Sequence, residues 1–463
     1  MIIAILLLAL ALRLINLNQP FWLDEAIGAL AVKDLTLQQL FTNYLPSDFN
    51  PPFSYLIHFY WGKIFGYSEI SLRLPSVIFG VLSIWLIYRL AKLLLPKSKN
   101  FPLLASLFLA TAPLHIYYSQ EARMYSLATF TTILSFWALT SFLKTKQHFL
   151  TYIFSTFLTL LSHYLAWFIL PAQLLIVYLS KKSLFKKILS AQIISLLLIS
   201  PWLPTLFKQL SLGTTIASQT PAWSQTVGGT NLKNLLLVFV KFLIGRISID
   251  NNFVYTLVLA IPSLLVIFLF LRVFKQSSKR SLAVITSFSW LILPFLLIAL
   301  LSLKIPVLSY FRLLFLLPAF YLILALGIIS LPKKWRLPVI AFFLVLNLTT
   351  ASIYLFNQKF HREDWRQLAQ TLTTQNLNQS PVIAISVTNA PLGYYSPHSN
   401  LVDYLDIDQY LDQPELWLVP YAQPIFYPQL NLEEKLTQAG FQLTFKQHFR
   451  GSLTLVKYIK PQL

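Results

Sequence analysis

Apolar runs of about 20 residues recur almost from one end of this chain to the other, and each is long enough to cross a hydrocarbon core of roughly 30 Å. Inside that core every backbone N–H and C=O must find a partner within the protein, so helices and closed barrels are the available spanning structures. Runs of this length predict helices near 1–17, 74–95, 101–116, 124–143, 149–163, 165–180, 188–204, 252–272, 282–303, 312–331 and 337–355. The expected fold class is an all-α polytopic membrane protein of about eleven transmembrane helices, within a range of about ten to thirteen. A mean hydropathy of +0.64 and a charged fraction of 11% agree, because water cannot be the main solvent of such a surface.

A formal charge of +20 would suggest nucleic acid in a soluble protein, but here the basic residues fall into short clusters between apolar runs. Lys92, Lys97 and Lys99 form one, Lys144 and Lys146 another, and Lys181, Lys182, Lys186 and Lys187 a third. Arg272, Lys275, Lys279 and Arg280 follow, then Lys333, Lys334 and Arg336. Positive loops face the cytoplasm, so nucleic acid is not an expected partner. The parity of eleven spans places the N-terminus inside and the C-terminus outside. All 16 acidic residues avoid these five clusters, which puts the carboxylate chemistry on the outer side. Residues 1–17 lack a basic leader and a small-residue cleavage site and read as a retained first span. Without cysteine, thiolate chemistry is excluded.

Two external segments interrupt the spans of an expected membrane domain, 1–355. Residues 18–73 carry apolar-periodic stretches at Ala26–Phe41 and Pro52–Phe65, read as helices lying in the interface. Residues 205–251 hold a Ser/Thr/Gly/Gln-rich stretch, Ser211–Thr230, read as a mobile loop, and an interfacial helix at Leu232–Ile247. From 356 to 463 the composition changes to that of a small extracytoplasmic α/β domain. Its expected helix is Glu363–Leu377, and its expected strands are Val382–Val387, Leu416–Val419, Gln442–Phe445 and Ser452–Ile459.

Few side chains outside that domain can do chemistry. Asp24 and Glu25 follow an aromatic turn, and Asp24 stands where a helix N-cap would be. There the free N–H groups favour an ionised carboxylate, able to take a hydroxyl proton or hold a divalent cation; plain capping explains it as well. A second group surrounds Tyr118, Gln120, Glu121, Arg123 and Tyr125 at the outer end of the third span. If helical, it puts Tyr117, Glu121 and Tyr125 on one face, with Arg123 pointing elsewhere. A buried ion pair between helices is the competing use of such residues. His163 and Tyr164 cap the fifth span, where helix-to-helix hydrogen bonding is the commoner role. Arg312 opens the tenth span and suits either a phosphate or snorkelling; Arg13 carries the same ambiguity. His, Asp and Glu are too scattered for a metal motif, and 12 glycines make no nucleotide loop, so the substrate is expected to reside in the membrane.

The order of these pieces resembles the GT-C glycosyltransferase superfamily, in particular bacterial relatives of protein O-mannosyltransferases and of the lipid A aminoarabinose transferase. The resemblance rests on Phe-Trp-Leu-Asp24-Glu25-Ala, Asn50-Pro51-Pro52-Phe53-Ser54-Tyr55, Ser68-Glu69 with Leu72-Arg73-Leu-Pro75, and Tyr118-Ser119-Gln120-Glu121-Ala122-Arg123-Met124-Tyr125. Ser162-His163-Tyr164, Tyr310-Phe-Arg312 and Arg362-Glu363-Asp364-Trp365-Arg366 complete it. It implies a polyprenyl-phosphate-sugar donor, a lipid, glycan or protein acceptor, and inverting transfer at the outer face of the cell membrane. By matching position, Asp24 is the general base, and Glu25 and Glu121 complete an acidic cluster. Arg123 and Arg312 hold the donor phosphate. Asn50, Tyr118, Gln120, Tyr125, His163 and Tyr164 line the substrate. Metal dependence varies in the superfamily, with Asp24 and Glu25 the ligands if a divalent cation is used. The lipid A enzymes carry an Arg soon after the Asp-Glu pair and a Lys before the Pro-Pro pair. Here those places hold Ile27 or Gly28 and Asn50, which argues against the same sugar or acceptor.

The rival from another class is a transporter or flippase of a lipid-linked saccharide. It predicts polar residues at mid-span and repeat symmetry, and the sequence displays neither.

Overall fold

The computed structural model describes residues 1–219, 228, 231–276 and 281–461. Lys279 and Arg280 of the fourth basic cluster, and residues 220–227, 229 and 230 of the expected mobile loop, lie outside them.

The first span is helix α1 (Ile2–Leu14). The first loop carries α2 (Leu23–Asp34) and α3 (Phe53–Phe65). Then come α4 (Glu69–Leu94), α5 (Asn100–Thr111) and α6 (Pro113–Ser119), and α7 (Tyr125–Thr145) and α8 (Phe149–Ser162). Helices α9 (Ile169–Lys181), α10 (Phe185–Ile199) and α11 (Leu203–Gln219) follow, with α12 (Leu232–Ile244) after the undescribed residues. The bundle closes with α13 (Asn252–Gln276), α14 (Leu282–Leu301), α15 (Leu317–Ser330) and α16 (Lys333–Phe356).

Among the described residues, six helical stretches are long and apolar enough to cross a membrane, and a seventh is the pair α5–α6, bent by 60°. Three shorter apolar helices are Ile2–Leu14, Phe149–Ser162 and Leu314–Ser330. One of the six, Tyr164–Ile216, doubles back on itself. Gln192 of α10 donates to the Leu170 carbonyl of α9 at 3.1 Å; on one straight helix these residues would stand about 33 Å apart. The protein is multi-pass, and every apolar run picked out above is helical.

Three local expectations need correction. Helix α2 begins at Leu23 with Trp22 as its N-cap and no side-chain cap bond, so Asp24 sits inside the first turn. Residues 211–219 are helical, part of α11. Their hydroxyls fold back onto the helix, Thr214 and Thr215 both donating to the Ser211 carbonyl, which lets a polar stretch stay helical. Finally, α6 stops at Ser119 and Gln120–Met124 is a turn, so Tyr117, Glu121 and Tyr125 do not share a helical face.

After α16 the chain forms α17 (Trp365–Gln375) and a five-stranded sheet. Its strands are β1 (Val382–Ala384), β2 (Leu401–Asp403), β3 (Glu415–Val419), β4 (Gln442–Phe449) and β5 (Leu453–Ile459), in the order β2-β1-β3-β5-β4. Strand β1 is parallel to β2 and β3, in register Val382 with Leu401 and Trp417, while β5 is antiparallel to β3 and β4. Central parallel strands are covered on both faces. Trp365, Leu368 and Leu372 pack on one side, and Tyr404, Leu432 and Leu436 on the other.

Polar contacts hold this unit against the first loop. Tyr395 donates to Glu69 at 2.6 Å and accepts from the Phe21 backbone at 2.7 Å. Arg366 bonds to Glu69 at 2.6 Å, and Tyr394 to the Tyr67 carbonyl at 2.9 Å.

Candidate active site

Where α2, the turn Gln120–Met124 and the residues after α16 meet, three carboxylates lie in different environments. Glu25 is 1% exposed. Its two oxygens take a bidentate pair from Arg73 Nε and Nη2 at 2.8 and 2.6 Å, the strong planar arrangement for Arg and carboxylate. It also accepts the Ala122 backbone N–H at 2.8 Å. Arg73 in turn donates to the Leu17, Gln19 and Pro20 carbonyls at 2.8, 2.5 and 3.1 Å, tying down the chain that leads into α2. Burial pushes the Glu25 carboxyl up, but Arg362 and Arg73 outweigh it and hold its pKa below the ordinary value.

Glu121 is fully buried. Its Oε2 bonds to Arg362 Nη1 at 2.9 Å, and its Oε1 has no hydrogen-bond partner. Burial raises its pKa, against the pull of Arg362.

Asp24 is the exception, with 38% of its side chain exposed. Arg123 Nη2 stands 3.5 Å from its Oδ2, outside close hydrogen-bond range. Desolvation raises its pKa, with Arg123 opposing and Asp48 reinforcing the rise. A carboxylate that is weakly paired and whose pKa is raised above its ordinary value is a stronger proton acceptor than a free one. Arg123 is steered by Tyr55, whose hydroxyl lies 3.3 Å from Nη1 and itself donates to Asp48 at 2.9 Å.

The arginines divide in the same way. Arg73, Arg123 and Arg362 each face a carboxylate. Arg312 has none within ion-pair distance; it bonds to the Pro306 carbonyl at 3.2 Å and lies against Phe311. Arg246, just after α12, is exposed, and it stacks 4.6 Å from the centre of the Tyr117 ring and bonds to that residue's hydroxyl. It too lacks a carboxylate partner among the described residues. An accessible guanidinium without a counter-ion is a ready anion site.

Of the other residues singled out in the sequence, Tyr118, Tyr125, His163 and Phe311 come together as an aromatic wall, with ring centroids 5.0 to 6.1 Å apart. Gln120 is occupied by the scaffold: it donates to the Arg13 and Ile15 carbonyls and accepts from Tyr354. Asn50 donates to Asp48. Tyr164 joins Gln209 to Trp202. Sequence reasoning assigned no role to Arg73, Arg246 or Arg362. Arg73 and Arg362 stand in the quoted motifs, and the signal for them was available: an Arg at the edge of an apolar span needs an acid.

Asp24 and Glu25 do not converge on a common point, since Glu25 turns into Arg73. Among the described residues no group of three or more His, Asp or Glu side chains is placed to hold a metal ion. The site does not fit a divalent cation.

Residues 49–204 match the family model described as dolichyl-phosphate-mannose-protein mannosyltransferase. No curated protein matches. Among solved structures, the chain resembles the ArnT of Cupriavidus metallidurans in its apo state, with a TM-score of 0.58 at 11% identity over 98% of this chain and 97% of that one. The same protein bound to undecaprenyl phosphate gives a TM-score of 0.56 at 11% identity over the same shares. The oligosaccharyltransferase AglB of Archaeoglobus fulgidus, in complex with an inhibitory peptide and a dolichol-phosphate, gives 0.56 at 11% identity over 100% of this chain and 74% of that one. At such identities the structural likeness shows the fold. Residues 49–204, about a third of the chain, thus resemble that mannosyltransferase family, and the whole chain has the fold of ArnT and AglB.

Proposed function

We propose that the protein moves a sugar from a polyprenyl-phosphate-linked donor to the hydroxyl of an acceptor, with inversion, on the extracytoplasmic side of the cell membrane. The observation that carries this reading is the contrast among the three carboxylates: Glu25 and Glu121 are buried in ion pairs, and Asp24 alone is open. Asp24 takes the acceptor hydroxyl proton as the oxygen attacks the anomeric carbon. The bond from that carbon to the donor phosphate breaks, and its electron pair leaves on the phosphate oxygen. Arg312 and Arg246, which lack carboxylates of their own, hold the phosphate and stabilise the charge it gains, as preorganised cations do. Arg123 stays with Asp24 and orients it. Two proteins of like fold carry undecaprenyl phosphate and dolichol-phosphate, which supports a donor of this kind. The basic loops support the orientation. In this reading residues 1–355 carry the chemistry and 356–463 contribute to acceptor choice.

The test uses purified protein and its Asp24→Asn variant, supplied with a panel of polyprenyl-phosphate-hexoses and a membrane extract as acceptor source. Release of polyprenyl phosphate by the wild type and not by a variant that still binds donor supports the reading, and the product mass names the sugar. Donor that is bound and never cleaved, yet moved between leaflets of reconstituted vesicles, overturns it in favour of transport.

A further inference from the structure

The acid cluster is completed from outside the membrane bundle. Arg362 lies six residues beyond the end of α16, where the chain turns into the C-terminal unit, and it is only 4% exposed. Its backbone is fixed at both ends. The N–H donates to Gln19 at 2.9 Å, and the carbonyl accepts from Arg450 at 2.7 Å. Arg450 belongs to the turn between β4 and β5, and its own carbonyl accepts from Asp364 at 3.1 Å. The guanidinium is thereby driven inward. Nη1 meets Glu121 at 2.9 Å, Nη2 donates to the Gln120 carbonyl at 2.9 Å, Nε stands 3.7 Å from Glu25, and the plane covers Tyr117 at 4.7 Å.

Counting charges gives the consequence. Glu25 and Glu121 bring two negative charges into a buried space; Arg73 and Arg362 bring two positive ones. The set is neutral only with Arg362 in place. We propose that Arg362 is a positioning residue for the base: by balancing the buried Glu25–Glu121 pair it keeps their charge from Asp24, so that docking of the C-terminal unit sets the protonation behaviour of the reacting carboxylate. The proposal rests on Asp24 being that base. The link is short, because Glu25 is the next residue to Asp24 on α2 and an uncompensated neighbour of like sign makes ionisation harder. Tyr117 and Tyr354 also face Arg362, Arg246 faces Tyr117 and Glu121, and Arg123, Asp48 and Arg312 face Asp24; these facing groups stay unchanged in the variants below.

The test is the pH dependence of kcat/KM for donor consumption by the full-length protein, with thermal stability measured alongside. Arg362→Gln leaves a net negative cluster, so the acid limb moves to higher pH, and activity on that limb falls by on the order of tenfold for every pH unit the limb moves. Adding Glu121→Gln restores neutrality and returns the limb to its wild-type position. Glu121→Gln alone leaves a net positive cluster and moves the limb to lower pH, which keeps the proposal testable should Arg362→Gln fail to fold. Arg362→Lys, which keeps the charge, leaves the limb in place. A limb that is unmoved in Arg362→Gln and in Glu121→Gln, with only stability lowered, overturns the proposal and leaves Arg362 as a structural tether. Failure of the base assignment itself would look different: Asp24→Asn would then retain turnover and its acid limb.

Discussion

Replacing Arg73 by methionine tests the idea that Glu25 is part of the frame. The substitution keeps an unbranched side chain of similar reach and removes the guanidinium. Glu25 then loses both charge-assisted bonds, at 2.8 and 2.6 Å, and keeps only the Ala122 N–H and the more distant Arg362 at 3.7 Å. Stranding one partner of a buried ion pair costs about 3 to 5 kcal/mol. The Leu17, Gln19 and Pro20 carbonyls lose their donor as well, and any that stay dry add about 1 to 3 kcal/mol each. The expected loss is therefore at least ~3 kcal/mol, and Arg73→Met combined with Glu25→Gln should recover part of it. Unfolding of the solubilised protein in a denaturing-detergent titration measures it. Lys359→Ala is the internal control. That residue's bond to Asp250 is also short, at 2.7 Å, but the side chains are 57% and 84% exposed, and such pairs contribute about 1 kcal/mol or less. Equal costs for the two substitutions, or a loss below ~1 kcal/mol for Arg73→Met, would refute the assignment of Glu25 to the frame.

Gly80→Ala should destabilise by about 1 to 3 kcal/mol in the same titration, because its Cβ would collide with Ser119 Oγ, lie 2.9 Å from Ser119 Cβ and 3.1 Å from Arg13 Nε. Arg246→Gln and Arg312→Gln should each weaken donor binding about tenfold or more, tenfold being near the lower end of the range for a charged hydrogen bond, and a donor titration of each variant reads this directly. Acid should silence the protein before it unfolds it. Asp24 has a raised pKa, so activity falls as pH drops through a value above the ordinary aspartate pKa of about 3.9. Glu25 has a depressed one, so its stabilisation is fully present above its unfolded pKa and is lost only as pH falls below about 4. Parallel profiles of kcat/KM and of melting temperature check the order of the two events.

The spans were legible because their signal is local and repeated: each apolar run carries its own evidence, and each basic cluster marks a turn between runs. The sheet was nearly as legible from its alternating segments, though β2 was not foreseen, since Leu401–Asp403 is too short to display a period. What failed was local sequence read without its tertiary partners. Ser119 to Met124 has good helix formers, yet the helix stops there because Gln120 is drawn to the Arg13 and Ile15 carbonyls and Arg362 captures the Gln120 carbonyl. Contacts between residues more than a hundred positions apart outweigh propensities of a few tenths of a kcal/mol. The candidate acids were visible as a group, but their division was not. Which carboxylate is free depends on where Arg73 and Arg362 land, and that is decided by the packing of α4 and of the chain after α16 against the first loop.

The bend between α5 and α6 has a bearing on where the reaction happens. A straight helix of these 19 residues would reach about 29 Å, the thickness of the apolar layer. With the second part swung by 60°, the climb along the first axis is only about 23 Å. The turn bearing Glu121 and Arg123 is thus set several ångströms lower along that axis than a straight span would put it. If the donor is lipid-borne, as proposed, the lowered turn shortens the distance its reactive bond must rise from the leaflet, and the acceptor is then the partner that must travel.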